Sequence, residues 1–168
     1  EEYAVLKMAE LALAEGGVGG ANATRARFLD LSSNSPAAAT ALLSLGEIHL
    51  RQAAGIFSTN AAAPAAEATN HLNTALGLFD RLVAVYTNSP LAGRAELNRG
   101  WSFWLNGQFN ESATAFERAV GKLEDGEDLI VARFKLGDTW FVQKDFARAL
   151  LASQSAVEAS ARWPQTRA

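Results

Sequence analysis

The side chains able to do chemistry are few and scattered. The only histidines, His49 and His71, have Glu47 and Glu67 as their nearest carboxylates, and a metal site needs more donors than this, held by a supporting shell. The run Gly16-Gly17-Val18-Gly19-Gly20 has the composition of a phosphate cradle, yet no Lys-Ser or Lys-Thr follows it and no strand pattern precedes it, so it reads as a flexible turn. Glu124, Asp125, Glu127 and Asp128 lack the alternating oxygen donors and the terminal glutamate of a calcium loop. They suit the electropositive start of a helix instead. Serine is plentiful, but no Gly-x-Ser-x-Gly setting occurs. Absence of cysteine removes thiol nucleophiles, disulfides and the common structural zinc sites. Carboxylates that stay solvated keep their ordinary pKa and make poor acid-base pairs. The reading is therefore of a chain with no catalytic residue and no cofactor. Trp101 and Trp104 remain: each offers a large apolar area with one donor, the profile of an interface anchor or of a wedge between packed helices.

The elements that position these residues follow from composition and pattern. With 168 residues, 49% hydrophobic and 20% charged, the chain can bury a real core and is too apolar for a disordered tail. A net charge of -3, from 18 acidic and 15 basic residues mixed along the sequence, gives no sustained cationic surface, which disfavours nucleic acid as a partner. The apolar runs are short and alanine-rich, far from the roughly twenty residues of a membrane span. The sequence starts at Glu1-Glu2, and a fragment of a longer protein is expected.

Self-similarity is the strongest signal. Ala95-Glu96-Leu97-Asn98-Arg99-Gly100, with Phe103, Phe109, Ala113 and Ala119, recurs 37 residues later as Ala132-Arg133-Phe134-Lys135-Leu136-Gly137, with Trp140, Phe146, Leu150 and Ala156. A second offset, of 54, relates Asn34-Ser35-Pro36, Ala38, Ala41, Leu43 and Gly46 to Asn88-Ser89-Pro90, Ala92, Ala95, Leu97 and Gly100. The excess of 17 fits an insertion within 53–70, a stretch low in charge and punctuated by Gly55 and Pro64, as a lengthened loop or an extended helix end would be. Periods of this size signal stacked helical hairpins. Apolar residues return at three- and four-residue steps, as at Phe109, Ala113, Phe116 and Val120. Ser35-Pro36 and Ser89-Pro90 read as helix starts, as do Asn110-Glu111 and the acidic residues 125–128. Helices are expected at 2–15, 22–32, 36–53, 65–86, 90–106, 110–123, 127–143 and 146–162, with almost nothing reading as strand.

Small residues at Gly46, Gly100 and Gly137, then His49, Phe103 and Trp140 three on, then Phe109 or Phe146, resemble the tetratricopeptide repeat. The resemblance covers roughly 35–164. It implies an all-α, right-handed superhelix of antiparallel hairpins with about eight helices, forming one domain: a degenerate hairpin at 1–34, then hairpins at 35–89 with the insertion, 90–124 and 125–164. In such repeats a glycine in the first helix admits the second helix of its hairpin, and the aromatic fills the angle between hairpins. Departures occur at Arg99, where leucine is usual, and at Ser112 and Ser153, which replace a small apolar residue and an aromatic. A narrower likeness joins Tyr86-Thr87-Asn88-Ser89-Pro90-Leu91-Ala92 and Asn106-Gly107-Gln108-Phe109 to repeats of bacterial cell-envelope proteins, namely the Tol-Pal coordinator and the lipoproteins of outer-membrane assembly.

The family resemblance implies a protein-protein adaptor binding a peptide or protein, in the periplasm or cell envelope rather than the cytoplasm. A regulatory or substrate-positioning module of a larger enzyme or signalling protein is the alternative. First helices line the concave groove in such arrays, which implies a partner surface of Glu47, Arg51, Arg94, Asn98, Trp101, Leu105, Lys135, Asp138 and Val142. Chaperone C-termini are disfavoured, because Leu97, Trp101 and Phe134 stand where a carboxylate clamp needs lysine and asparagine.

Overall fold

The structure is a computed structural model that describes residues 36–59 and 65–163. Among them are six helices and no strand: α1 (Pro36–Thr59), α2 (Ala65–Val85), α3 (Ala92–Leu105), α4 (Phe109–Lys122), α5 (Glu127–Val142) and α6 (Phe146–Arg162). The expected helices at 2–15 and 22–32, and the hairpin assigned to 1–34, lie outside the described residues. Among the described residues the helices number six, not about eight. Each odd helix packs on the next even one to make three antiparallel hairpins, and successive hairpins join through α2 on α3 and α4 on α5. First helices touch one another more lightly, α1 against α3 and α3 against α5. Such neighbour-only packing is the arrangement of a stacked repeat, not of a closed bundle.

What sets the distance between the two helices of a hairpin is the absence of a side chain. A Cβ on Gly100 would stand 2.5 Å from the Phe116 ring, and one on Gly137 would stand 2.7 Å from Ser153 Oγ. In the first hairpin Gly46 faces Phe79 in the same way, and Phe79 and Phe116 are completely buried. Phe79, Phe116 and Ser153 follow one another at intervals of 37. The second helices thus keep a constant period, and the 17 extra residues fall entirely between Gly46 and Phe79. Fifteen of them lengthen the two helices. By register α1 runs eight residues past the end of α3, and α2 starts seven residues before the start of α4. The first hairpin therefore overhangs its neighbour by roughly 10–12 Å at 1.5 Å per residue.

The departures at Arg99 and Ser112 have local explanations. Arg99, little exposed, donates to buried Glu96 on its own helix at 2.6 Å and to Asp80 on α2 at 2.7 Å. A charged side chain there ties two hairpins together where leucine would only fill space. Buried Ser112 donates from Oγ to the Gly100 carbonyl at 2.9 Å, at the point where α3 and α4 approach most closely. Trp140 lies against Ala113 of the preceding hairpin and Ala149 of its own, so it fills the angle between them.

Helix starts differ in detail from expectation. Ser89 Oγ accepts from the Leu91 amide at 3.2 Å, but Pro90 and Leu91 form a turn closed by Ala92 N–H on the Ser89 carbonyl, so α3 begins at Ala92. Asn110 is not a cap, because α4 already begins at Phe109 behind Gln108. Among α3 to α6 the side-chain cap is Asp145, which accepts from the Arg148 amide at 3.0 Å and from Arg148 Nε at 2.6 Å. Those bonds, the backbone one first, hold its carboxyl below the ordinary carboxylate range. The hairpin turns repeat at the period of the helices: Gly107 and Lys144, 37 apart, both have positive φ, at 73° and 64°. Only at Lys144 does a side chain bear the cost.

Alanine at Gly100 is expected to lower unfolding stability by about 1–3 kcal/mol through overpacking on Phe116. Alanine at Gly77 or Gly121, where an added Cβ meets nothing within 4 Å, should instead raise it by about 0.5–1 kcal/mol through helix propensity. Urea unfolding followed by circular dichroism separates the two outcomes. Because the folded-state pKa of Asp145 is depressed, its capping contribution is present above the unfolded aspartate range and is lost as pH falls through the folded value. Exchange of the Arg148 amide should accordingly quicken in acid, and Asp145→Asn should remove that pH dependence.

Candidate functional site

An open groove of about 470 Å3 lies between α1 and α3, lined by Glu47, Leu50, Arg51, Ala54, Arg94, Asn98, Trp101 and Leu105. Each wall is a single helical face. Residues 47, 50, 51 and 54 return at three- and four-residue steps along α1, and 94, 98, 101 and 105 do so along α3. The overhang of the first hairpin contributes to this site, since Ala54 belongs to the length that α1 has beyond the register of α3. Apolar Leu50, Ala54, Trp101 and Leu105 form the floor.

Polar groups close the groove at one end. Glu47 Oε1 accepts from Arg94 Nε at 3.0 Å and from Asn98 Nδ2 at 3.1 Å, so a single carboxylate on α1 is held by two donors on α3. Glu47 is partly buried and Arg94 is exposed, which keeps the ion pair in the range of about 0–1 kcal/mol. Its role is orientation: Arg94 and Asn98 are directed by a fixed partner. Arg51, exposed on the opposite wall, makes no ion pair among the described residues. The lining therefore carries Arg51 and Arg94 against Glu47 alone, a surplus of one positive charge.

Trp101 is anchored rather than loose. Its ring meets Phe116 edge to face, with centroids 6.3 Å apart, and it packs on the core of Leu97, Phe116, Ala119 and Ala132. Lys135 Nζ sits over the same indole at 4.7 Å and near Trp104 and Phe134 at 5.5 and 5.4 Å, while donating to Asp138 at 2.8 Å. The cation bridges α3 to α5 over an aromatic surface. Trp104 is held edge to face by Phe109 at 5.2 Å.

Of the nine residues expected on the partner surface, Glu47, Arg51, Arg94, Asn98, Trp101 and Leu105 line this one groove. Lys135 and Asp138 adjoin it through Trp101, whereas Val142 is exposed near the end of α5 and outside the lining. Leu97 is a core residue, not a groove residue, because its face of α3 is taken by Phe116 of α4. Leu50 and Ala54 were not anticipated, although their spacing from Glu47 and Arg51 places them on the same face. His49 and His71 serve the first hairpin's interior: both are buried, and their Nδ1 atoms are 2.9 Å apart. One ring donates and the other accepts, so the contact requires that the two rings are not both cationic. Among the described residues no three His, Cys, Asp or Glu side chains converge as metal donors, and no helix is long and apolar enough to cross a membrane.

No curated protein matches the chain. Residues 60–127, from the approach to α2 through the start of α5, match the family described as tetratricopeptide repeat. The match takes in α2, α3 and α4, and the stacked helical hairpins and the Gly100–Phe116 contact are similar to the pattern of that family.

Proposed function

We propose that this chain is a protein-interaction scaffold without a catalytic centre of its own, and that the groove between α1 and α3 receives a peptide segment of its partner. Tetratricopeptide repeats generally mediate protein-protein contact, and the observation that carries the reading here is a preorganised groove. An anchored Trp101 and a row of aliphatic side chains form its floor, Glu47 fixes the flanking Arg94 and Asn98, and Arg51 has no ion-pair partner among the described residues. Side chains already held by the fold lose little conformational entropy on binding. The partner segment that fits places an apolar side chain on Leu50, Trp101 and Leu105 and a carboxylate toward Arg51. Lys135 and Asp138 extend the surface toward α5, and Val142 extends it further along that helix. The likeness of residues 86–92 and 106–109 to envelope repeats supports a setting in the bacterial cell envelope.

Selection of displayed random peptides on the immobilised chain tests the groove. Selected peptides should combine aromatic or aliphatic residues with Asp or Glu and bind Trp101→Ala at least tenfold more weakly. Trp101 also touches the core, so Arg51→Glu at an exposed position is the companion variant, with a loss of three- to tenfold expected and unchanged melting. Peptides that bind both variants as tightly as the parent chain would place the partner elsewhere. For Glu47→Gln, a loss of less than about 1 kcal/mol in stability is expected, with weaker peptide binding because Arg94 is no longer oriented.

A further inference from the structure

Neighbouring first helices are laced together at one register position, and the two junctions use different chemistry there. Asn98 on α3 and Lys135 on α5 stand 37 residues apart, and so hold the same place in successive first helices. Glu47, Trp101 and Asp138 share another place, at offsets of 54 and 37. Asn98 reaches back to Glu47 of the preceding first helix, its Nδ2 donating to Oε1 at 3.1 Å. Lys135 reaches back to Trp101 of its own preceding first helix, with Nζ 4.7 Å from the indole centroid. The same geometry delivers a hydrogen bond to a carboxylate at one junction and an ammonium to a ring at the other. At the first of them the lacing orients a polar residue of the groove; at the second it acts on the groove's aromatic floor.

The ammonium is itself held in place. Asp138, three residues on, accepts from Nζ at 2.8 Å, and the Trp104 and Phe134 rings lie 5.5 and 5.4 Å from the same atom. The Lys135 side chain is only 20% exposed, so water screens its charge poorly and its attraction to the indole exceeds that of a cation at an open surface. An indole is placed by two side-chain torsions. Phe116 meets the Trp101 ring edge to face from within its own hairpin, and Lys135 meets it from the next one. Lys135 is not part of the groove lining, whereas Trp101 is. Any influence of Lys135 on a ligand there passes through the indole.

We propose, on the reading that the α1–α3 groove receives a peptide, that Lys135 is a positioning residue for it. Lys135 fixes the Trp101 indole in the orientation that an apolar side chain of the partner meets, and it does so without touching the partner. The groove walls belong to the first two hairpins, but the orientation of the floor is set from the third. Preorganisation of this kind raises affinity by removing torsional freedom before the ligand arrives.

Fluorine NMR of the full chain labelled with 5-fluorotryptophan tests the positioning without any ligand. The Trp101 resonance, assigned by its loss in Trp101→Phe, should shift in Lys135→Met and return toward its parent position in Lys135→Arg, which restores a cation. Methionine keeps an apolar stem over the rings, so circular dichroism should show unchanged helicity. A peptide selected on the parent chain supplies the second readout: Lys135→Met should weaken it about three- to tenfold, and Lys135→Arg should bind it within about twofold of the parent. In the Trp101→Ala background Lys135→Met should cost nothing further, as a double-mutant cycle demands of a residue that acts only through its neighbour. An unmoved resonance, or a peptide affinity that survives Lys135→Met, overturns the proposal and leaves the groove standing. Losses that add across the cycle also overturn it, because Lys135 would then touch the partner itself. A peptide that binds Trp101→Ala as tightly as the parent chain removes the groove reading, and this role of Lys135 falls with it.

Discussion

The architecture depends on one short-range constraint, the contact between a bare backbone in each first helix and a side chain of the second. Gly46, Gly100 and Gly137 remove the atom that would otherwise keep the helices of a hairpin apart, and Phe79, Phe116 and Ser153 occupy the space at a constant interval. Burying a phenylalanine side chain contributes about 1.5–3 kcal/mol, and interiors packed to crystal-like density tolerate little change of volume. Once that contact sets the spacing within a hairpin, the stacking of hairpins follows from whatever each second helix has left on its outer face. The Glu96-Arg99-Asp80 link and the Trp140 wedge then act on a geometry already determined.

The groove is a by-product of interrupting that period without disturbing it. Extra residues between Gly46 and Phe79 leave both contact positions in place, so the added length projects outward as helix. Ala54 extends the wall carrying Leu50 and Arg51, and α3 opposes it with Arg94, Asn98, Trp101 and Leu105. Had the insertion been a coil, its backbone polar groups would need water or partners of their own; as helix they are satisfied internally. The overhang also explains the histidines. His71 lies in the added part of α2, where a second hydrogen-bonding ring can meet His49 inside the hairpin.

Much of this was legible in the residues themselves, because offsets of 37 and 54 are properties of the chain and helices that pack alike must recur alike. The second helices, the three close glycines and the faces of α1 and α3 could all be placed from spacing. Capping was less readable. Asn110 and Pro90 have the chemistry of helix starts, yet the helices begin one residue earlier, at Phe109, and two residues later, at Ala92, because the preceding turns had already bent the chain. Leu97 looked like groove from its neighbours in sequence and is core, since which side of α3 meets α4 is a tertiary matter. Leu50 and Ala54 share the helical face of Glu47 and Arg51 by spacing, but only the length of α1 beyond the register of α3 brings Ala54 into the groove wall.

The third hairpin follows the rule with its weakest version. Ser153 stands where the other hairpins bury a phenylalanine, the residues buried on α6 are the alanines 149, 156 and 159, and Lys144 holds the left-handed turn position that glycine takes at 107. In a one-dimensional array stability is close to a sum of each repeat and its interfaces. A hairpin with little core of its own is thus held mainly by its neighbour, through Trp140 against Ala113 and Gln143 on the Phe109 carbonyl.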